Sequence, residues 1–253
     1  MYVPGKTWVH RLDPITKLLA VLVAVVLTFV LPGFFSQAGI LLVSLAMLGS
    51  AGVLRRAAPV LAGVFILPLT FFVVQGLVYP GNVHPAVALG PVVFYREGLL
   101  LGLSLTLRLY NILSAALILV LVTRPSDLVE ALVRRGAPPR LGYVMIAVLQ
   151  IIPIMVASTQ TILDAQRSRG METEGSLWVR IRAFLPLMGP LVTNSLISTE
   201  ERALALEVRG FAGGGKRTFL KDEQIPPYAM AMRILVLAAL VLGIGGRWLW
   251  GWR

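Results

Sequence analysis

Two short stretches of this sequence share the frame Ala-x-x-x-Arg-Gly: AQRSRG, from Ala165 to Gly170, and ALEVRG, from Ala205 to Gly210. The alanine and the arginine are four residues apart and share one helix face, and the glycine suits the left-handed residue that ends a helix. A guanidinium at such an end carries five planar donors that bind carboxylates or carbonyl oxygens bidentately. A single copy is typical of an arginine that complements the helix dipole, but two copies predict two binding sites for partner proteins.

Other residue patterns that could support chemistry are incomplete. The stretch GFAGGGK, from Gly210 to Lys216, matches most of a phosphate-binding loop, but Arg217 stands where that loop needs a serine or threonine for magnesium. This stretch is therefore predicted to be a flexible basic linker near anionic lipid headgroups. The chain has no cysteine, and its two histidines, His10 and His84, have no carboxylate at metal-ligand spacing. We therefore predict no catalytic residue, no metal site and no cofactor.

The composition predicts the environment in which these residues work. Of the 253 residues, 57% are hydrophobic and only 14% are charged, against about 25% charged residues in soluble domains. The mean hydropathy of +0.82 and the long uncharged runs indicate an integral membrane protein. The net charge of +11 fits the basic residues that collect in cytoplasmic loops, and no basic stripe with interleaved aromatic residues points to nucleic acid.

Five apolar stretches are predicted to form transmembrane helices, so the expected fold is an all-α integral membrane protein. They cover roughly residues 16–32, 38–54, 59–79, 97–122 and 228–246. At about 1.5 Å per residue each can cross a hydrocarbon core of about 30 Å, the shortest only just. Lysines and arginines lie before the first stretch, between the second and third, and after the fourth. This distribution predicts a multi-pass protein with a cytoplasmic N-terminus.

The charged middle of the sequence is predicted to be a separate region. We divide the chain into residues 1–123 with four transmembrane helices, 124–224 with cytoplasmic or juxtamembrane helices, and 225–253 with the last transmembrane helix. The middle region is expected to contain one short helix and two long ones, at about 125–135, 139–169 and 176–209.

The two long helices raise a question of membrane depth. Their apolar halves, 141–157 and 183–197, are at or below the shortest length that spans a bilayer. If each crossed once, the two Arg-Gly ends would face opposite sides of the membrane. We therefore expect that neither crosses, that each apolar half lies at or in the membrane surface, and that each polar half extends into the cytoplasm. Pro186 and Pro190 are expected to kink the second long helix.

Three polar side chains near or inside the spans have structural interpretations. Asp13 is expected to cap the first transmembrane helix. Lys17 is expected to extend its amine to the membrane interface. Arg108 lies inside the fourth span, and it is expected to turn to the bundle interior and bond carbonyl groups, Asn111 or Tyr110.

Four stretches together resemble the T component of energy-coupling factor (ECF) transporters: GKTWVHRLDPITKLL, TRPSDLVEALVRRG, AQRSRG and ERALALEVRGF. They are distributed over most of the chain. The resemblance implies a non-enzymatic scaffold in the plasma membrane of a prokaryotic cell, which serves the ATP-driven import of a vitamin or metal ion. Its expected partners are membrane lipids, two ABC-type ATPase subunits and a separate S component that binds the substrate.

By this resemblance Arg169 and Arg209 are coupling arginines that sit in grooves of the ATPases. The other residues of the two frames shape the helix tips: Ala165, Gly170, Ala205 and Gly210. Two alternatives stay open. A conventional ABC permease domain would have its own substrate path and one short coupling helix. A lipid or prenyl transferase would need clustered carboxylates for Mg-diphosphate, and the acidic residues here are scattered.

Overall fold

The computed structural model describes residues 2–5, 7–31, 33–89, 92–171, 176–211, 213, 219 and 226–250. These residues divide into two compact units, which are described separately: unit 1 contains residues 1–135 and 224–253, and unit 2 contains residues 136–223. The elements in chain order are α1 (Trp8–Arg11), α2 (Pro14–Val30), α3 (Phe34–Ser50), α4 (Leu54–Gly63), α5 (Ile66–Val78), β1 (Pro85–Leu89), β2 (Val92–Tyr95), α6 (Arg96–Val122), α7 (Pro125–Arg134), α8 (Pro139–Ser168), α9 (Leu177–Val208) and α10 (Tyr228–Trp250). This composition of elements confirms the predicted all-α membrane class.

Several helices have the length and apolar character of membrane spans. Among the described residues, three helices meet both criteria: Arg96–Val122, Pro139–Ser168 and Tyr228–Trp248. The pair α4 and α5 meets them as one bent span, and α2 and α3 are shorter apolar helices of 17 residues each. The five predicted spans therefore all have helical counterparts in unit 1. In addition α8 is long and apolar enough to cross, whereas α9 does not meet the criteria.

The third predicted span, 59–79, differs from the structure because it is broken. α4 ends at Gly63, α5 begins at Ile66, and the two helices are bent by 41°. The cause lies in Pro68, which has no N–H to offer to the carbonyl of Val64 and whose ring crowds that carbonyl.

The α5–α6 connection contains a β-hairpin that we did not predict. β1 pairs with β2 in antiparallel register, with Leu89 opposite Val92 and an irregularity between Pro85 and Val87. Behind the hairpin α5 and α6 approach very closely. A Cβ atom added at Gly98 would lie 1.9 Å from the Gln75 carbonyl oxygen, so only glycine fits there.

Contacts between helix ends define the directions of α2, α6 and α10. At the start of α2 the Lys17 Nζ atom donates to the Val122 carbonyl oxygen at 3.3 Å, so α2 and α6 run in opposite directions. α2 and α10 run in the same direction, because Arg233 near the start of α10 donates to Thr16, and Arg247 near its end donates to the Phe29 and Val30 carbonyls. Arg247 thereby satisfies carbonyl groups that the last turn of α2 leaves open.

The buried core of unit 1 lies at the end where α2 begins and α6 finishes. Its members are apolar and come from α1, α3, the turn between α3 and α4, α4 and α6: Val9, Leu48, Ala51, Val53, Ala57, Ile118, Leu121 and Val122. The backbone of Val3 joins this end by donating to the Leu121 carbonyl oxygen at 2.9 Å. We call this end of unit 1 the basic end, because it carries most of the unit's arginines that lie at or beside helix termini: Arg11, Arg55, Arg56, Arg124, Arg134 and Arg135.

Unit 2 is an antiparallel pair of long helices. The ring of Tyr143, in the second turn of α8, lies 5.2 Å from the ring of Phe211, which follows the end of α9. The opposite ends of the two helices are joined by residues 169–176. Pro186 and Pro190 both lie inside the single helix α9. The kink that we expect at these prolines stays a prediction.

Candidate functional site: two exposed helix ends

The first predicted frame forms a tightly closed helix end. Arg169 is the C-cap residue of α8, and Gly170 has φ of +87°. The Gly170 N–H donates to the Arg167 carbonyl at 2.9 Å, and the Met171 N–H donates to the Gln166 carbonyl at 3.1 Å. This pair of bonds is the Schellman motif, which requires a left-handed residue and therefore favours glycine.

The second frame forms the same helix end. Arg209 is the C-cap residue of α9, and Gly210 has φ of +70°. The Gly210 N–H donates to the Glu207 carbonyl at 2.9 Å, and the Phe211 N–H donates to the Leu206 carbonyl at 2.9 Å. The predicted left-handed glycines are confirmed at both ends. Each arginine is one residue beyond the last helical residue, Ser168 in α8 and Val208 in α9.

All six predicted site residues are exposed. They are Ala165, Arg169, Gly170, Ala205, Arg209 and Gly210. Within the described ranges, neither the Arg169 nor the Arg209 side chain makes a hydrogen bond or an ion pair. Both guanidinium groups therefore keep all their donors for another molecule, and alanine leaves the adjacent helix face thin enough for a close approach.

The two ends lie at opposite ends of the helix pair in unit 2. Phe211 holds the Arg209 end beside the start of α8, whereas the Arg169 end closes the far end of α8. From Tyr143 to Ser168 the helix rises by about 40 Å at about 1.5 Å per residue. The two sites are therefore separated along the pair and do not form one composite site.

A third copy of the frame, at Ala131 to Gly136 in α7, was missed by our sequence reasoning. Gly136 is left-handed here too, with φ of +105°, but Ala131 is buried, with 3% of its surface exposed. The Arg135 Nη2 atom donates to the Asp13 Oδ2 atom at 2.9 Å. The frame thus specifies a helix end with a projecting arginine, and in this copy the arginine binds a carboxylate of its own chain.

The expected roles of Asp13 and Lys17 are corrected by these contacts. Asp13 occupies the N-cap position of α2, but its carboxylate makes no capping hydrogen bond and binds Arg135 and Arg233 instead. Lys17 does not extend to the surface. It is 4% exposed, and its Nζ atom donates to the carbonyls of His10, at 3.0 Å, and Val122.

The expected bonds of Arg108 are also wrong. Its guanidinium carbon lies 4.8 Å from the centroid of the Phe29 ring, a cation–π contact. Asn111 donates instead to the Gln37 carbonyl at 3.0 Å, and the Tyr110 hydroxyl donates to a carbonyl of α4 at 3.4 Å.

The two histidines have ordinary partners. The His84 Nδ1 atom lies 2.6 Å from the Glu97 Oε1 atom, and His10 contacts Thr7 and the Val3 carbonyl. Across the described ranges, no three His, Asp or Glu side chains are grouped so that they could hold a metal ion. Of the stretch that resembles a phosphate-binding loop, Gly210 to Lys216, the structure describes only Gly210, Phe211 and Gly213.

Comparison with known proteins gives a consistent result over nearly the whole chain. The profile of the family described as "Cobalt transport protein" (CbiQ) matches residues 5–219. "Energy-coupling factor transporter transmembrane protein EcfT" from Bacillus selenitireducens is 35% identical over 265 residues, which cover 96% of this chain and 96% of that protein. Proteins of the same name from Acidaminococcus fermentans and Bacillus subtilis are 34% and 30% identical, covering 94% and 95% of this chain and 92% and 95% of theirs.

The fold and the two helix ends define a helical membrane protein whose second unit has two exposed, cationic helix ends. The sequence matches identify the family within this class. The chain belongs to the CbiQ family of transmembrane proteins of energy-coupling factor transporters.

Proposed function

We propose that this chain is the non-catalytic scaffold of an ATP-driven ECF importer for a vitamin or another micronutrient. Its two Arg-Gly ends dock into grooves of two ABC-type ATPase subunits, and its membrane helices hold a separate S component that binds the substrate. ATP-driven movement of the ATPases is passed through α8 and α9 to the membrane helices. This is coupling through packed elements that shift between discrete positions.

The observation that carries this proposal is the likeness of the two helix ends. Both have the same dihedral class, the same pair of backbone hydrogen bonds and an exposed arginine. One such arginine could serve only to complement the dipole of its own helix. The same exposed end on both long helices favours two docking sites. The third copy, where Arg135 binds a buried carboxylate, illustrates the interaction that such an arginine makes when it is docked.

The antiparallel arrangement of α8 and α9 supports a position along the membrane surface. If the pair crossed the bilayer, Arg169 and Arg209 would lie on opposite sides, and ATPases in one compartment could not reach both. We therefore propose that both ends are cytoplasmic and that the pair lies along the inner surface. The basic end of unit 1 faces the same side, because it carries Arg55, Arg56 and Arg124.

The proposal is tested by retention of ATPase subunits on the purified chain. Tagged wild type and the double variant Arg169→Glu, Arg209→Glu are purified in detergent with the ATPases co-expressed, and the bound subunits are identified by mass. We expect the variant to lose them, because removal of one arginine from a desolvated groove costs about 2–5 kcal/mol, or at least about 30-fold in affinity.

The control is a second double variant, Arg11→Glu with Arg55→Glu, which makes the same change in net charge at two exposed arginines of unit 1. It is expected to retain the ATPases. Retention of the ATPases by a folded Arg169→Glu, Arg209→Glu variant would show that the arginines only complement helix dipoles, and the scaffold proposal would fail.

A further inference from the structure

One carboxylate oxygen of unit 1 binds two arginines from distant parts of the chain. The Oδ2 atom of Asp13 accepts hydrogen bonds from the Nη2 atoms of Arg135, at 2.9 Å, and of Arg233. Thr16 completes the group, because its Oγ1 atom accepts from the Arg233 Nε atom at 2.7 Å and donates to Asp13 at 3.3 Å. We call these four residues the Asp13 hub.

The two arginines mark the places where the chain leaves unit 1 and returns to it. Arg135 is the last residue of unit 1 before unit 2 begins, and Arg233 lies in the second turn of α10, shortly after the chain returns at residue 224. Both arginines that bind this carboxylate are therefore close in sequence to a connection between the units. Among the described residues, the ion pairs of Asp13 are the only ones that connect the end of α7 with α10.

The hub restricts how α7 and α10 can move relative to each other. The Asp13 side chain is fully buried, whereas those of Arg135 and Arg233 are 35% and 30% exposed. Water can replace the carboxylate at the arginines but cannot reach the carboxylate itself. A movement that separated one arginine from Asp13 would leave a buried charge with a lost partner, which is strongly unfavourable. Small displacements of α7 are therefore followed by α2 and α10.

The contacts of Lys17 extend this connection to α6. Lys17 lies one helix turn after Asp13, and its amine bonds the carbonyls of His10 and Val122. The residues that start α2 thus hold the start of α10, the end of α6 and the end of α7 at one place. In the stretch LDPITK, the three polar residues Asp13, Thr16 and Lys17 supply all of these bonds.

We propose that Asp13 is a positioning residue for energy coupling: it transmits displacement of the helix pair in unit 2 to the membrane helices of unit 1. The inference rests on the proposed function, because it assumes that ATPases move that pair. It goes further by assigning the transmission to one carboxylate of unit 1 that belongs to neither Arg-Gly frame. Loss of the hub is expected to uncouple the two units and leave ATPase binding intact.

The test uses the complete complex with its ATPases and follows hydrogen exchange with and without Mg-AMP-PNP. In the wild type we expect the nucleotide to change exchange at the helix ends, 165–171 and 205–211, and also at the start of α10, 228–236. In Asp13→Asn the change at the helix ends should persist, and the change at the start of α10 should be lost. Asp13→Glu, which keeps the charge, is expected to restore part of it.

Two further variants separate transmission from simple loss of stability. Glu130→Gln removes a carboxylate from an ion pair with Arg134 on the same helix α7, without touching the hub, and should behave as the wild type. Arg135→Gln leaves the Asp13–Arg233 pair in place and decides the question if Asp13→Asn fails to fold. It should also lose the nucleotide response at α10.

The outcomes distinguish the two proposals. If Asp13→Asn and Arg135→Gln retain the nucleotide response at α10 and differ from the wild type only in melting temperature, the hub is structural and the inference is overturned. If the wild type retains no ATPase at all, the proposed function fails, whatever the hub does.

Discussion

An Ala-x-x-x-Arg-Gly frame determines how a helix ends, and the surroundings of that end determine what its arginine binds. Three copies occur in this chain, and all three have a left-handed glycine. In α7 the alanine is buried and the arginine is held by Asp13, whereas the copies in α8 and α9 are exposed. The glycine could be predicted from the sequence because it follows from local backbone geometry. Exposure could not, because it depends on what the rest of the chain covers.

The left-handed glycine gives a sharp test of one end. In Gly210→Ala the new methyl group meets no atom within 4 Å, so its cost is the backbone conformation alone, about 1–2 kcal/mol. We expect the affinity for the ATPase subunits to fall about 5–30-fold, as measured by titration of the ATPases against the immobilised chain.

The matched control is Gly189→Ala in the same helix. Gly189 is in a helical conformation, and an added methyl group again meets no atom within 4 Å. Alanine is the better helix former there, so affinity should be unchanged. Equal effects of the two substitutions would mean that the shape of the helix end does not matter for docking.

The misread residues show the limit of local reasoning at this scale. Asp13 before Pro14 has the form of a helix cap, and that local pattern concealed its long-range partners, which lie 122 and 220 residues away. A buried carboxylate with two arginines cannot be found from spacing, because no periodicity connects such distant positions.

At the scale of elements, the sequence analysis predicted most helices and missed two features. Apolar runs located the membrane helices to within a few residues, because burial in lipid requires continuous apolar sequence. The break between α4 and α5 could have been anticipated from Pro68, since a proline this deep in a helix removes a hydrogen bond. The hairpin β1–β2 had a signal as well: its second strand is VVFY, β-branched and aromatic residues that favour strands.

The membrane position of α8 and α9 can be tested because the chain has no cysteine. Single cysteines are introduced at the exposed positions Ala165, Ala205 and Val83, the last in the α5–α6 connection. In intact cells a membrane-impermeant maleimide should label only Val83→Cys. The other two should react only after the membrane is opened, because we propose that both helix ends are cytoplasmic.

The informative contrary result is labelling of one helix end and not the other in intact cells. The two ends lie at opposite ends of an antiparallel pair, so a pair that crossed the bilayer would present them to different compartments. Because α8 is apolar and long enough to cross a membrane, the experiment tests a crossing pair directly against a pair that lies along the surface.

At the scale of the whole molecule, the direction of the last helix resolves a question of charge. Arg247 conflicts with a positive-inside distribution if α10 leaves the cytoplasm. The parallel arrangement of α2 and α10 explains it, because its guanidinium binds the carbonyls at the end of α2, with 3.1 Å between its Nη1 atom and the Val30 oxygen. A charge that appears misplaced by composition is therefore satisfied by helix-end chemistry.

The separation of the two sites predicts how partners assemble on the complete chain. Since the ends lie about 40 Å apart along the pair, each should bind one ATPase subunit independently in the absence of nucleotide. Native mass spectrometry should find two subunits on the wild type and one on Arg169→Glu or on Arg209→Glu. Loss of both subunits from either single variant would indicate one composite site and would contradict this arrangement.

The ring contact between Tyr143 and Phe211 makes the two ends mechanically inequivalent. Force applied at Arg209 acts on α9 directly and also reaches the start of α8 through the contact between the two rings. Force applied at Arg169 enters α8 at its far end and reaches α9 through the contacts between the two helices. The two helix ends are therefore attached to the pair in different ways. Equal forces applied to them by two docked partners are expected to displace the two ends by unequal amounts.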